Sequence, residues 1–413
     1  MAVMSMLITN IGELCTVRSP LPGPRRGGAL ADVGIVRDAA VAIAGGRIVW
    51  IGPAAEASPA PGATVIDAAG CTVTPGLIDP HTHLVFGGSR EAEFVQRLQG
   101  ASYADILAAG GGIHHSVTHT REASEDELVR LGRQRLKRML ANGTTTLEAK
   151  SGYGLELATE LKQLRAIARL NAEGPQEIVA TFMGAHAVPK GVDADAFTDQ
   201  VVAEMIPAVA AAGLATYVDV FCEKGVFSPA QTERIFAAAQ AAGFGLRLHA
   251  DELSDLGGGA LAARMGAASA DHLLMTGDDS IAALAASDTV AVMLPGTPFF
   301  LQMAERAPAR RMIEASVALA IGTDFNPGSC FSESMPMMMT LACLHLGLTP
   351  SEALCAATIN AAHAIGRADT IGSLEVGKQA DLVIWDVPNH HHLAYHFGVQ
   401  LTRSVIKRGE VVL

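Results

Sequence analysis

The stretch from Pro75 to Gly88, PGLIDPHTHLVFGG, decides how the rest of the chain is read. A short apolar run ends at Asp79 and then presents His81 and His83. In an extended strand residues two apart share a face, so both imidazoles project into one pocket. Neutral imidazole is the commonest nitrogen ligand for zinc and related divalent metals, but a catalytic metal needs further ligands from elsewhere in the chain. A lone HxH also occurs as an ordinary strand end, so its surroundings must choose between the two readings.

Working outward, short apolar runs alternate with helical stretches, the pattern of βα units and a parallel sheet. The runs are Leu77 to His83, Gly143 to Lys150, Glu177 to His186, Thr216 to Glu223, Phe244 to Ala250, Ala268 to Leu274, Thr289 to Pro295 and Val317 to Asp324. About eight strands close a (β/α)8 barrel, and the Leu77 run is the first of them. Between them lie well-marked helices. One opens on Ser124, with Glu127 at the capping-box position; another opens on Ser228 with Pro229 in its first turn and ends at Gly243.

Both ends of the chain read instead as short strands with glycine turns: MLITNI, VAIAGGRIVWIGP and ATVIDAAGCTVTPG at the front, GSLEVGKQADLVIWDV and SVIKRGEVVL at the back. The expected fold class is therefore α/β, a TIM-like (β/α)8 barrel over 75–370 with a small β-sandwich domain formed from both termini, 1–74 and 371–413. The connection from Val85 to Ala123, with three glycines at Gly110 to Gly112, is too long for a plain turn and is expected to shape or cover the active site.

Composition narrows the functional classes. A hydrophobic fraction of 49% with 17% charged residues supports a large buried core. The formal net charge of -12 argues against nucleic acid or an anionic membrane as partner and leaves a small molecule. Six cysteines without CxxC spacing read as reduced thiols, which points to the cytoplasm. No secretory leader is expected at the N-terminus, and the apolar stretch from Ile206 to Cys222 is broken by Pro207, Gly213 and Asp219.

Functional groups of such barrels sit at the C-terminal ends of the strands. The first run ends in His81 and His83, the fifth in His249 of LRLHADE, the sixth in His272 of SADHL and the eighth in Asp324 of IGTDFNPG. Each alone has an ordinary structural explanation; in this order they match one pocket. One metal ion held by His81, His83, His249 and Asp324 is expected, zinc first and iron as the alternative, able to activate water near neutral pH. Asp324 can also accept a proton. His272 reads as a proton shuttle or oxyanion donor, with a fifth-ligand role open. Glu252 of HADE reads either as a second acid/base or as a solvated carboxylate at a helix start.

Two-metal relatives of such sites need a bridging group near the end of the fourth strand, which here ends in Glu223, while Lys150 ends the second. One metal is therefore expected, with Lys150 structural or a weak substrate contact. The run His390, His391, His392 with His396 is expected to be a solvated surface cluster.

These residues and their surroundings resemble the amidohydrolase superfamily and, within it, the imidazolonepropionase family of histidine breakdown. The resemblance covers nearly the whole chain. HxH and TDFNPG mark the broad superfamily; KSGYGL, GAHAVP and DVFCE are more specific. It implies hydrolysis of the cyclic amide of 4-imidazolone-5-propanoate to N-formimidoyl-glutamate with one zinc or iron ion, and a homodimer. Carried over by motif, metal ligands fall on His81, His83, His249 and Asp324. Substrate contacts fall on Arg90 of GGSRE, Tyr153 of KSGYG, His186 of GAHAVP and Glu252 of HADE, with Asn326, Gly328 and Ser329 on the product side. An arginine fork suits the propanoate carboxylate, and a phenol and an imidazole suit ring nitrogens and a carbonyl. Relatives often carry Gln where Glu252 stands, which weakens a general acid/base role there. Cys330, in a more variable segment, is given no nucleophilic role because activated water makes one unnecessary. The alternatives are another amidohydrolase, such as a purine or pyrimidine deaminase, or a binding protein on a scaffold that has lost its metal.

Overall fold

The computed structural model describes residues 4–18, 22–101 and 111–413. Both chain ends contribute to one eight-stranded sheet. Its strands are β1 (Met6–Cys15), β2 (Ile35–Ala44), β3 (Arg47–Pro53), β4 (Thr64–Asp67) and β5 (Thr72–Pro75) from the front. From the back of the chain come β14 (Leu382–Trp385), β15 (Thr402–Lys407) and β16 (Glu410–Val411). Gly45 and Gly46 hold positive φ (57° and 74°) in the two-residue turn between β2 and β3, a conformation side chains resist. That hairpin reaches back to the segment before β14: Ile48 N–H donates to Lys378 O at 3.0 Å and Ala380 N–H to Gly46 O at 2.9 Å. The sheet thereby folds over a core of its own, with Ile8, Ile11, Val41, Ile43, Leu382 and Ile406 inside. This is the small sandwich expected from the terminal strands.

The middle of the chain forms the second eight-stranded sheet, with every neighbouring pair parallel and in sequence order. Its strands are β6 (Leu77–Asp79), β7 (Thr144–Lys150), β8 (Glu177–Ala185), β9 (Tyr217–Cys222), β10 (Gly245–Ala250), β11 (Ser269–His272), β12 (Val290–Met293) and β13 (Leu319–Ile321). Closure comes from the residues just beyond β6 and β13. Thr82 bridges Phe325 in parallel, His83 N–H donates to Phe325 O at 2.9 Å and Asp324 N–H to His81 O at 3.1 Å. The first and eighth strands are thus shorter than the runs predicted them. Pro80 cannot donate to a ladder, so β6 stops at Asp79, yet the bridge at Thr82 keeps the next residues extended and His81 and His83 on one side.

The helices follow their local signals. Ser124 Oγ accepts from Glu127 N–H at 3.2 Å to open Glu125–Ala141, although the Glu127 side chain pairs with Arg130 instead of completing a capping box. Ser228 and Gln231 do form a full capping box on Pro229–Ala241. Helices Glu91–Leu98 and Ile113–Glu122 lie in the long connection after the first strand. The stretch 102–110 that joins them, including Gly110, lies outside the described residues. Among the described residues no helix is long and apolar enough to cross a membrane.

One expectation is corrected here. His390 is not part of a solvated run: it is 2% exposed, and its ring Nδ1–H and backbone N–H donate to Glu13 Oε1 at 2.7 and 2.8 Å. Its Nε2 pairs with Ser351 Oγ at 2.9 Å, so this histidine ties β1 to a barrel helix (Pro350–Ala356). The run looked polar because His391 and His396 are indeed exposed.

Candidate active site

At the C-terminal mouth of the barrel the strand ends bring five side chains together. Ring nitrogens of His81, His83 and His249 lie within 4.8 Å of one another, as do donor atoms of His81, His272 and Asp324. Asp324 Oδ1 stands 3.5 Å from His81 Nε2 and 3.6 Å from His83 Nε2. His249 Nε2 faces His83 Nε2 at 3.4 Å.

The tautomers of two rings follow from the far side of each. His81 Nδ1–H donates to Asp271 Oδ2 at 2.6 Å, and His249 Nδ1–H donates to Asp219 Oδ1 at 3.0 Å. Both rings therefore aim an Nε2 lone pair inward, and His81 Nε2 is buried with no hydrogen-bond partner. Converging lone pairs with no proton between them repel each other unless a cation lies among them, so this donor set fits a divalent metal. Protonation does not compete. Burial first, then neighbouring positive charge, depresses the pKa of His81, His83 and His272 well below 6.5.

Asp324 is held by Thr297 Oγ1 at 2.6 Å and has a positive φ of 50°. Burial raises its pKa to about 6, against the hydrogen bond from Thr297. A cation against that carboxyl would favour the anion. Glu252, just beyond β10, sits with Oε2 3.6 Å from His272 Nε2. Burial, then the charges of Asp324 and Glu223, push its carboxyl up to about 8.

The remaining expected residues rim the same pocket. His186 stacks on His83 with ring centroids 4.8 Å apart and donates Nδ1–H to Gly152 O at 3.0 Å, leaving Nε2 as an acceptor. Burial lowers its pKa to about 3. The Tyr153 ring lies 5.7 Å from His83 and 5.3 Å from His186. Arg90 donates from Nε (3.0 Å) and Nη2 (2.8 Å) to Glu93 Oε2, which leaves Nη1 free of that pair. A Cβ at Gly328 would stand 2.0 Å from Arg90 Nη1, so only glycine admits the guanidinium there. Asn326 organises the turn that carries Gly328: its Oδ1 accepts from Gly328 and Ser329 N–H, both at 2.8 Å, and its Nδ2 donates to Asp324 O and Ser329 Oγ, both at 2.7 Å.

Comparison with known proteins gives the family and the fold. The Amidohydrolase family profile matches residues 72–412. A protein named imidazolonepropionase from Symbiobacterium thermophilum is 53% identical, with 100% of this chain and 98% of the relative covered. One of the same name from Geobacillus kaustophilus is 50% identical over 99% and 98%. The chain belongs to the imidazolonepropionase family of amidohydrolases. Its fold recurs in an adenosine deaminase from Xanthomonas campestris with bound zinc, at TM-score 0.72 and 21% identity over 100% and 93% of the two chains. It recurs also in atrazine chlorohydrolase from Arthrobacter aurescens complexed with zinc, at TM-score 0.76 and 20% identity over 99% and 95%.

Sequence reasoning missed several residues that shape this amidohydrolase pocket. Asp219 and Asp271 orient two histidines, and Thr297 holds Asp324. Signals for the two aspartates were available: each is a carboxylate set within an apolar barrel strand, where burial demands a partner. Lys150 makes no contact that would mark it as a substrate group; it is fully buried between Glu148 and Asp219.

Proposed function

We propose that the chain hydrolyses the cyclic amide of 4-imidazolone-5-propanoate to N-formimidoyl-L-glutamate in histidine degradation, with one metal ion held by His81, His83, His249 and Asp324. The observation that carries this reading is the convergence of that donor set with a half-buried arginine fork beside the same pocket, in a chain whose full-length relatives bear the name. A divalent ion held there supplies Lewis acidity and makes water a nucleophile near neutral pH. Zinc suits three imidazoles and one carboxylate best, with iron the alternative.

In this reading the chain's own residues bind, orient and move protons. Arg90 takes the propanoate carboxylate through its free edge, and Gly328 keeps room for it. Tyr153 and His186 Nε2 meet the ring nitrogens and carbonyl, which fixes the scissile bond over Asp324. Asn326 and Ser329 line the product side. Asp324 accepts a proton from the attacking water, and His272 polarises the developing oxyanion. Glu252, whose carboxyl keeps its proton near neutrality, donates to the departing ring nitrogen. The division into a composite domain of 1–74 with 371–413 and a catalytic barrel of 75–370, a homodimeric state and a cytoplasmic location belong to the same proposal.

The experiment is product identification by NMR after incubating metal-loaded protein with 4-imidazolone-5-propanoate. Appearance of formimidoylglutamate without ammonia supports the reading. Turnover of an aminated purine or pyrimidine with ammonia release, and none of the imidazolone, would replace it with a deaminase.

A further inference from the structure

Beneath the four donors lies a buried layer of charge that no step above uses. Lys150 Nζ donates to Glu148 Oε1 at 2.9 Å and to Asp219 Oδ2 at 2.8 Å, and all three side chains are fully buried. The other Asp219 oxygen accepts from the His249 ring at 3.0 Å and from its backbone N–H at 3.2 Å. The other Glu148 oxygen accepts from the backbone N–H of Thr82 at 3.2 Å, and Thr82 stands between His81 and His83. One ammonium thus links the histidine pair beyond β6 to the histidine on β10, which are not neighbours in the barrel.

Stability does not explain such a residue. Removing an ammonium and two carboxylates from water is costly, and apolar replacement of a buried ion cluster is often neutral or stabilising. Without the ammonium, Arg247 would be the only cation left in this layer among the described residues, 3.8 Å from Glu148 and 3.1 Å from Asp271, and Asp219 would lose the only cation that donates to it. Asp219 would then turn away, freeing the His249 ring to rotate or change tautomer.

We infer that Lys150 is a positioning residue for the metal site: by holding Asp219 and Glu148 together it fixes the His249 ring relative to His81 and His83, and so sets the affinity for the divalent ion. The inference rests on the four-donor reading given above.

Zinc affinity, measured against a chromophoric chelator, and the visible absorption of the cobalt(II)-exchanged protein test it in the full chain. Lys150→Met and Asp219→Asn are each expected to lose about ten- to a hundredfold in zinc affinity and to shift the cobalt bands. The double variant is expected to be no weaker than the weaker single, because the two act through one another. Should Lys150→Met not fold, Lys150→Gln and Glu148→Gln take its place with the same expectation. Unchanged affinity and an unchanged cobalt spectrum in the folded variants would overturn the inference. So would fully additive losses, which would place the two residues on independent paths. A wild-type protein that binds no zinc would instead overturn the four-donor site itself.

Discussion

Glu252 Oε2 lies 3.6 Å from His272 Nε2 at the ends of neighbouring barrel strands. Burial and the charges of Asp324 and Glu223 raise the Glu252 carboxyl from 4.5 to about 8. In the metal-free protein the folded state therefore keeps a proton that the unfolded chain has already lost between those values. Its contribution to stability falls as pH rises through that window and is constant above it. Glu252→Gln should remove the penalty, raising the melting temperature of metal-free protein more at pH 8 than at pH 5, while lowering turnover. Equal shifts at both pH values would show that the carboxyl titrates normally.

Arg90 offers a test of substrate selection. Replacing it with Lys removes the planar fork and is expected to lower kcat/KM roughly a hundredfold, about 2–3 kcal/mol, mainly through KM. An analogue without the carboxylate should be turned over equally slowly by both proteins. Gly328→Ala should act in the same direction, because its Cβ would displace the guanidinium. Steady-state kinetics on the two substrates decide the matter; an Arg90→Lys protein with unchanged KM would remove the arginine from substrate binding.

His390 makes the opposite kind of prediction, on stability alone. Glu13 also meets Arg37 at 3.2 Å, so His390→Ala deletes one donor to a buried carboxylate and leaves the others. A loss of about 1–3 kcal/mol is expected in denaturant unfolding, with kcat unchanged. Unfolding indistinguishable from wild type would return this histidine to the surface.

Much of this architecture was legible because barrel strands are buried on both faces and read as continuous apolar runs. All eight runs correspond to β6–β13, and the pocket residues stand just past the ends of several of them. Boundaries were less legible. His81 and His83 lie beyond a strand that ends at Asp79, because the closing bridge to Phe325 depends on a partner some 240 residues away. His390 was misjudged for the same reason: nothing local to HHH announces Glu13, at the other end of the chain. The aspartates behind His81 and His249 were visible as residues, but their pairing depends on which strands become neighbours.

The central claim is one metal ion serving a hydrolytic pocket, and the most direct measurement is a reconstitution titration. Protein stripped by a chelator is titrated with zinc while turnover of 4-imidazolone-5-propanoate is followed. Activity should rise linearly and reach its plateau at one equivalent per chain, with His249→Ala inactive and retaining no stoichiometric metal. Full activity in the stripped protein, or a plateau only at two equivalents, would contradict the account.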